Sequence, residues 1–354
     1  MSIHPFITPI VVNIALEVDL DKLTEKDIRP QQFAAGQKIA ALTDVGRMLT
    51  RCSEFVDVTC PACGSGNTKP KYQKNGMQYV SCNECDTFYV SPRPTSAVLD
   101  WFYQGSPNYA YWNAYIFPAS EVARRERIFV PRVDRLLEIC KKYGITTDAL
   151  LEVGTGFGTF CSELMSRKVF ARVVGVEPTP DLAESCRARG IEIIETPIEK
   201  MESNSSANFD VIASFEVIEH LFDPAEFIAH MLRLLKPGGL IMLTCPNGQG
   251  FDIETLGTVS DTVDHEHLNY FNPASLSGLL SASGLEVLES FTPGKLDAEL
   301  VRNKVLEGAF ALDGQPFLQK VLMDEWVQRG EAFQNFLVAT GVSSNLWIVA
   351  RKPM

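Results

Sequence analysis

Three groups of residues in this chain have the types and the spacing to do chemistry. Cys60-Pro61-Ala62-Cys63 and Cys82-Asn83-Glu84-Cys85 are two Cys-x-x-Cys turns with eighteen residues between them. Each turn aims two thiolates at one ion, Gly64 lets the first knuckle close, and four sulfurs complete a tetrahedral site with no open position. A closed site is structural, so the expectation is one zinc held by Cys60, Cys63, Cys82 and Cys85; two disulfides or a redox pair are the alternative use of the same thiols. The second group is Asp264-His265-Glu266-His267. Alternation in an extended segment puts His265 and His267 on one side and Asp264 and Glu266 on the other, so both imidazoles face one cavity and can exchange protons. Two other readings stay open: a His-x-His metal pair, for which no third ligand is evident by spacing, and histidines that merely cap the loop before a helix at Pro273. The third group is Glu152-Val153-Gly154-Thr155-Gly156-Phe157-Gly158, where alternating glycines let the backbone turn at positive φ and let a ligand lie against main-chain atoms.

The elements that must position these groups follow from the flanking pattern. Leu150-Leu151 before the glycines is apolar and the stretch after them is amphipathic, which reads as strand, tight turn and helix. Arg172 to Glu177 is a second β-branched run ending in an acid that can accept both hydroxyls of a ribose. Pro180 to Arg189 reads as a helix and Ile191 to Ile194 as a third strand. Asn208 to Leu221 and Leu234 to Asn247 supply the next two strands, and Leu285–Phe291 and Asn345–Arg351 the last two.

Glu-x-Gly-x-Gly-x-Gly, the acid closing the second strand, Phe209-Asp210 running into Glu219-His220, and Leu235-Lys236-Pro237-Gly238-Gly239 occur in that order. Over Asp148 to Asn247 this resembles a class I S-adenosylmethionine-dependent methyltransferase. The resemblance implies an α/β fold, a Rossmann-like sheet with an antiparallel last strand, preceded here by a small zinc ribbon and a helical linker. A nicotinamide-binding domain is the nearest competitor, but a dinucleotide needs a pyrophosphate site and commonly a second nucleotide-binding half, and no second glycine fingerprint is present. The resemblance further implies S-adenosylmethionine lying across Glu152, Gly154, Gly156, Gly158 and Glu177. Ile198 then stands against the adenine, and Phe215 and Glu216 line the methionyl and sulfonium part. Methyltransferases with a zinc-binding amino-terminal domain, notably those acting on deoxysugars, carry a Tyr-x-Tyr stretch over cofactor and acceptor, which Tyr109 and Tyr111 match. The other reading of this aromatic stretch is a helix packing its rings into a domain interface. In the same enzymes Glu266 and His267 match a catalytic pair and His220 an additional active-site histidine, with His265 as a further candidate base. They have tyrosine where this chain has Asp264, and a longer carboxy-terminal domain. The implied reaction is O-methylation of a sugar, carried on a nucleotide, with C-methylation of a keto-sugar as the alternative.

Composition narrows the field. Thirty-two Lys and Arg against forty-four Asp and Glu leave a net charge of −12, unfavourable for neutralising many phosphates, so a nucleic-acid partner is not expected. A zinc-ribbon RNA methyltransferase and a non-enzymatic scaffold are the rival classes. No run approaches the ~20 apolar residues of a membrane span and no signal peptide is evident, which predicts a cytoplasmic protein. The expected divisions are an extension over 1–51, the zinc ribbon over 52–94, a helical linker over 95–147 and the methyltransferase domain over 148–354, with a helical insertion near 294–344. Ile10 to Leu16 reads as a strand and Ala34 to Met48 as an amphipathic helix. Oligomeric state leaves no mark in the sequence.

Overall fold

Two sheets, tied together by a shared loop, position the candidate residues. The computed structural model describes residues 23–201 and 208–354, so the strand expected over Ile10–Leu16 lies outside the described residues. The smaller sheet begins with β1 (Thr68–Lys74), β2 (Met77–Cys82) and β3 (Phe88–Val90). The larger is built from β4 (Ala149–Val153), β5 (Arg172–Val176), β6 (Glu192–Ile194), β7 (Phe209–Phe215) and β8 (Leu235–Pro246). Three more strands follow: β9 (Asn269–Tyr270), which joins the smaller sheet, and β10 (Glu286–Phe291) and β11 (Asn345–Arg351), which complete the larger.

The larger sheet has the order β10-β11-β8-β7-β4-β5-β6. β4 through β8 pair in parallel, and β11 inserts antiparallel beside β8. Leu150, Leu151, Val174, Ile212 and Leu243 are buried, as strands covered by helices on both faces require. This is the expected α/β sheet with an antiparallel last strand. The β4-to-helix turn needs its glycine: Gly154 has φ +80°, and a Cβ there would meet Val217 Cγ2 at 2.3 Å.

The smaller sheet is not confined to the ribbon. β9 pairs antiparallel with β3, Phe88 opposite Tyr270 and Tyr89 opposite Asn269, and the Phe88 and Tyr270 rings stack at 4.1 Å. Arg93, 1% exposed, adds a second tie by donating to the carbonyls of Val90 and Phe222, each at 3.0 Å. The loop carrying the histidines is therefore fastened to the ribbon.

Between the sheets, residues 107–143 form one nearly continuous helical run with two wide turns, Trp112–Ile116 and Arg125–Phe129. Ser106 caps its start by accepting from the Tyr109 N–H, and Gly144 at φ +64° ends it. The helix Ala34–Leu49 packs on this run, and Asp44, fully buried, accepts from the Ser106 hydroxyl and from the Asn108 N–H at 3.0 Å. Residues 294–344 are mainly helical, with Asp297–Leu306 and Trp326–Ala339 around an apolar centre of Val301, Leu312 and Leu322. Among the described residues no helix is long and apolar enough to cross a membrane.

Candidate active site

A cavity of about 1040 Å³ opens at the carboxyl ends of β4, β5 and β7. Glu152, Gly154, Gly156, Glu177, Ile198, Phe215 and Glu216 all line it. At the strand ends of an open α/β sheet this is where a ligand is received. Glu177 is held ready: Gly156 N–H donates to Oε2 at 2.7 Å and Thr179 N–H to Oε1 at 2.9 Å, leaving lone pairs on both oxygens for hydroxyl donors. Burial raises its pKa, and the two backbone donors oppose that rise. Gly158, behind the turn at φ +80°, leaves room for Ile191 and Cys186 rather than touching the cavity. Ile198 is buried at the start of a short turn, Ile198–Lys200.

Glu152 is buried and accepts from the Cys161 thiol at 3.0 Å; desolvation lifts its pKa to about 8, so it holds its proton at neutral pH. Glu216 stands at φ +57° with Oε1 accepting from Thr244 Oγ1 at 2.6 Å and Asn345 Nδ2 at 3.1 Å. Its nearest cation is Arg132, 3.8 Å away, whose guanidinium lies 4.4 Å over the Phe215 ring. Sequence reasoning passed over Arg132. The available signal was its place on the apolar face of its helix, four residues before Leu136 and seven before Ile139, both buried. Arg124 also lines the cavity, donating to Ser120 Oγ and the Ile28 carbonyl.

At the other end of the cavity stand Tyr103, Tyr109 and His220. Behind Tyr109 lies Glu266, which accepts a hydrogen bond from Asn108 Nδ2 at 2.7 Å and is in hydrogen-bond reach of the Tyr109 phenol. Burial and the neighbouring Asp264 raise the Glu266 pKa to about 7. Behind His220 lies His267, ring centroids 4.7 Å apart. His220 Nδ1 meets the Glu266 carbonyl at 3.1 Å, and His267 Nδ1 meets the Thr262 carbonyl at 2.8 Å. Burial, then His267, press the His220 pKa down to about 3, so its ring is neutral.

Four expectations need correction. The segment 264–267 is not extended: Asp264 Oδ1 accepts from the N–H groups of both Glu266 and His267 at 2.9 Å, closing a tight turn that abolishes the two-sided alternation. Glu266 and His267 consequently do not form a pair. Glu266 faces Asn108 and, at 3.7 Å, His265, whereas His267 lies 3.6 Å from Asp264. His265 is buried behind Glu266 with its ring edge-on to Phe102, away from the cavity. Tyr111 also faces away: residues two apart on a helix point to different sides, so while Tyr109 meets the cavity, the Tyr111 hydroxyl reaches the Phe33 carbonyl beside Gly36. His220, as implied for an active-site histidine, lines the cavity from a short turn, Ile218–His220, ahead of the helix Pro224–Leu234.

The four cysteines converge. Cys60 and Cys85 sulfurs stand 3.5 Å apart, Cys63 and Cys82 sulfurs 3.6 Å, and all four lie within 4.8 Å of one another. A tetrahedral zinc with ~2.3 Å bonds sets its sulfurs roughly 3.8 Å apart, so the cluster fits the ion. All nine cysteines are free thiols in this structure.

The sheet order and the glycine-carboxylate end of the cavity define a class I methyltransferase fold. Residues 122–290 match the family model described as a methyltransferase domain. A ubiquinone biosynthesis O-methyltransferase of Xylella fastidiosa is 29% identical over 43% of this chain and 67% of its own length. A probable S-adenosylmethionine-dependent methyltransferase of Mycolicibacterium smegmatis is 32% identical over 39% of this chain and 52% of its own. The C-methyltransferase NovU of Streptomyces niveus is 28% identical over 46% of this chain and 39% of its own. The chain thus carries a methyltransferase domain, and the activity this match and these relatives indicate is S-adenosylmethionine-dependent methyl transfer.

Proposed function

We propose that this enzyme methylates a hydroxyl oxygen of a small polar acceptor, a sugar carried on a nucleotide, with the cofactor across Glu152, the Gly154–Gly158 turn, Glu177, Ile198 and Phe215. The observation that carries the oxygen assignment is Glu266: a largely buried carboxyl, held by Asn108 Nδ2 behind Tyr109 at the cavity wall, with its pKa raised to about 7. Transfer from a sulfonium is an in-line displacement in which the acceptor oxygen attacks the methyl carbon, the sulfur leaves with the bonding pair, and the acceptor proton must go to a base. Tyr109 relays that proton to Glu266, and the neutral His220 ring lines the acceptor end beside it. Arg124 and Lys295 line the cavity with no carboxylate of the described residues in salt-bridge distance, which suits a phosphate-bearing acceptor. The tetracysteine cluster holds one structural zinc. C-methylation is the second reading, favoured by the likeness to a C-methyltransferase. A panel of nucleotide-linked sugars with methyl-labelled cofactor, followed by NMR of the product, separates the two. A new methyl at an oxygen's chemical shift is expected. A methyl on carbon selects the second reading, and transfer only to acceptors without a sugar overturns both.

A further inference from the structure

Glu219 takes no part in this scheme, yet it is placed for a different chemistry. It is fully buried beneath the cavity wall, and neither of its carboxylate oxygens has a hydrogen-bond partner among the described residues. His220 Nε2 faces it, 4.0 Å from Oε1. With His267 it completes a group whose ligand-type atoms all lie within 4.8 Å of one another.

The tautomers of both histidines are fixed by their surroundings. Nδ1 of His220 and Nδ1 of His267 each meet a backbone carbonyl, which can only accept, so each Nδ1 carries the proton and each Nε2 keeps its lone pair. That is how metal-binding imidazoles are commonly held, with the far ring N–H given to a carbonyl or carboxylate; Asp264 Oδ2, 3.6 Å from His267 Nδ1, adds the carboxylate. The two loops that carry the three side chains are also stapled. Asn269 Nδ2 donates to the carbonyls of Ile218, Glu219 and Leu221, and Leu268 N–H donates to the Glu219 carbonyl at 2.7 Å. Ligands around an ion with bonds of ~2.0–2.2 Å stand roughly 3–3.5 Å apart, so side-chain rotations on the order of an ångström close the site.

We propose that Glu219, His220 and His267 bind a second divalent metal ion, separate from the tetracysteine site, with open positions towards the cavity through His220. Two imidazoles and one carboxylate suit zinc, manganese, iron or cobalt rather than calcium. The ion would neutralise the buried carboxylate and offer an acceptor oxygen a coordination position beside the methyl donor. Binding of the ion does not depend on which acceptor the enzyme uses, so its test is separable from that of the proposed reaction.

The experiment is a cobalt(II) titration of the full-length protein carrying zinc in its cysteine cluster, read by visible absorption without cofactor or acceptor. One equivalent is expected to bind with weak d–d bands and none of the intense near-ultraviolet charge transfer of cobalt thiolate. Glu219→Gln, nearly isosteric, and His267→Ala should each weaken that binding by ~100-fold or more, with the tetrathiolate zinc retained as the sign of an intact fold. Absence of the second equivalent at millimolar cobalt overturns the site. So does wild-type affinity in the Glu219→Gln protein, which would make Glu219 a protonated acid with no metal to serve.

Discussion

The two ends of the cavity are built in opposite ways. The cofactor end is made from the tips of adjacent parallel strands, β4, β5 and β7, and each side chain that matters sits at or just beyond a strand end. The acceptor end is assembled from the helix bearing Asp44, the helical start at Asn108–Tyr109, the 218–220 turn and the 261–268 loop, joined by hydrogen bonds from side chains to side chains and to backbone groups. A site made by strand geometry survives substitutions elsewhere in the chain; a site made by long-range hydrogen bonds fails when any anchor is released.

That contrast can be broken most severely at the ribbon, whose strand β3 pairs with β9 beside the histidine loop. Cys82→Ser, or removal of zinc by a chelator, should eliminate the four-sulfur signature in X-ray absorption and drop turnover to background, because β3 anchors β9 and with it the histidine loop. Cofactor affinity measured by calorimetry should change by no more than about threefold, since additivity holds for distant, independent sites. Full turnover in zinc-free protein would dissolve the distinction.

Within the acceptor end, Glu266→Gln should lower kcat by ~10²–10⁴-fold while leaving cofactor affinity intact. The sign of the pH dependence follows from the raised pKa. Glu266 is protonated below about pH 7 and ionised above it, so the wild-type rate should climb as pH rises through that value and the limb should vanish in the variant. An unchanged limb in Glu266→Gln assigns the titration to another group. At the cofactor end, Glu177→Ala should weaken S-adenosylmethionine binding by about 2–4 kcal/mol for the loss of two charge-assisted hydrogen bonds, read by calorimetry, with a smaller loss of turnover at saturating cofactor.

Sequence and structure agree best where local geometry decides the outcome. Glycines at the end of an apolar run, an acid at the next strand tip and paired cysteines are short-range patterns, and the sheet order, the cavity lining by Glu177 and the convergence of four sulfurs follow from them. The sequence pattern of the acceptor end misleads for a physical reason: residues 264–267 alternate as an extended segment would, whereas the Asp264 side chain bends them into a turn. Tyr109 and Tyr111 match a Tyr-x-Tyr pattern in the sequence, yet helical spacing separates them, and the burial of Asp44 comes from tertiary packing that no sequence pattern reveals. Glu219 was visible as a residue but not as an orphaned carboxylate, since hydrogen-bond satisfaction is a property of the assembled fold.

The pairing of β3 with β9 also has a history in time. During synthesis the ribbon leaves the ribosome first, and β4 to β8 must all be made before Asn269 and Tyr270 emerge. At roughly 5–20 residues per second, β3 waits on the order of ten seconds or more with one edge unpaired. An unpaired edge is a template for strands of other nascent chains, and here it exposes the Phe88 and Tyr89 backbone that β9 later covers. Early capture of the zinc proposed for the two cysteine knuckles around β2 and β3 would shorten the list of wrong partners the waiting strand can accept.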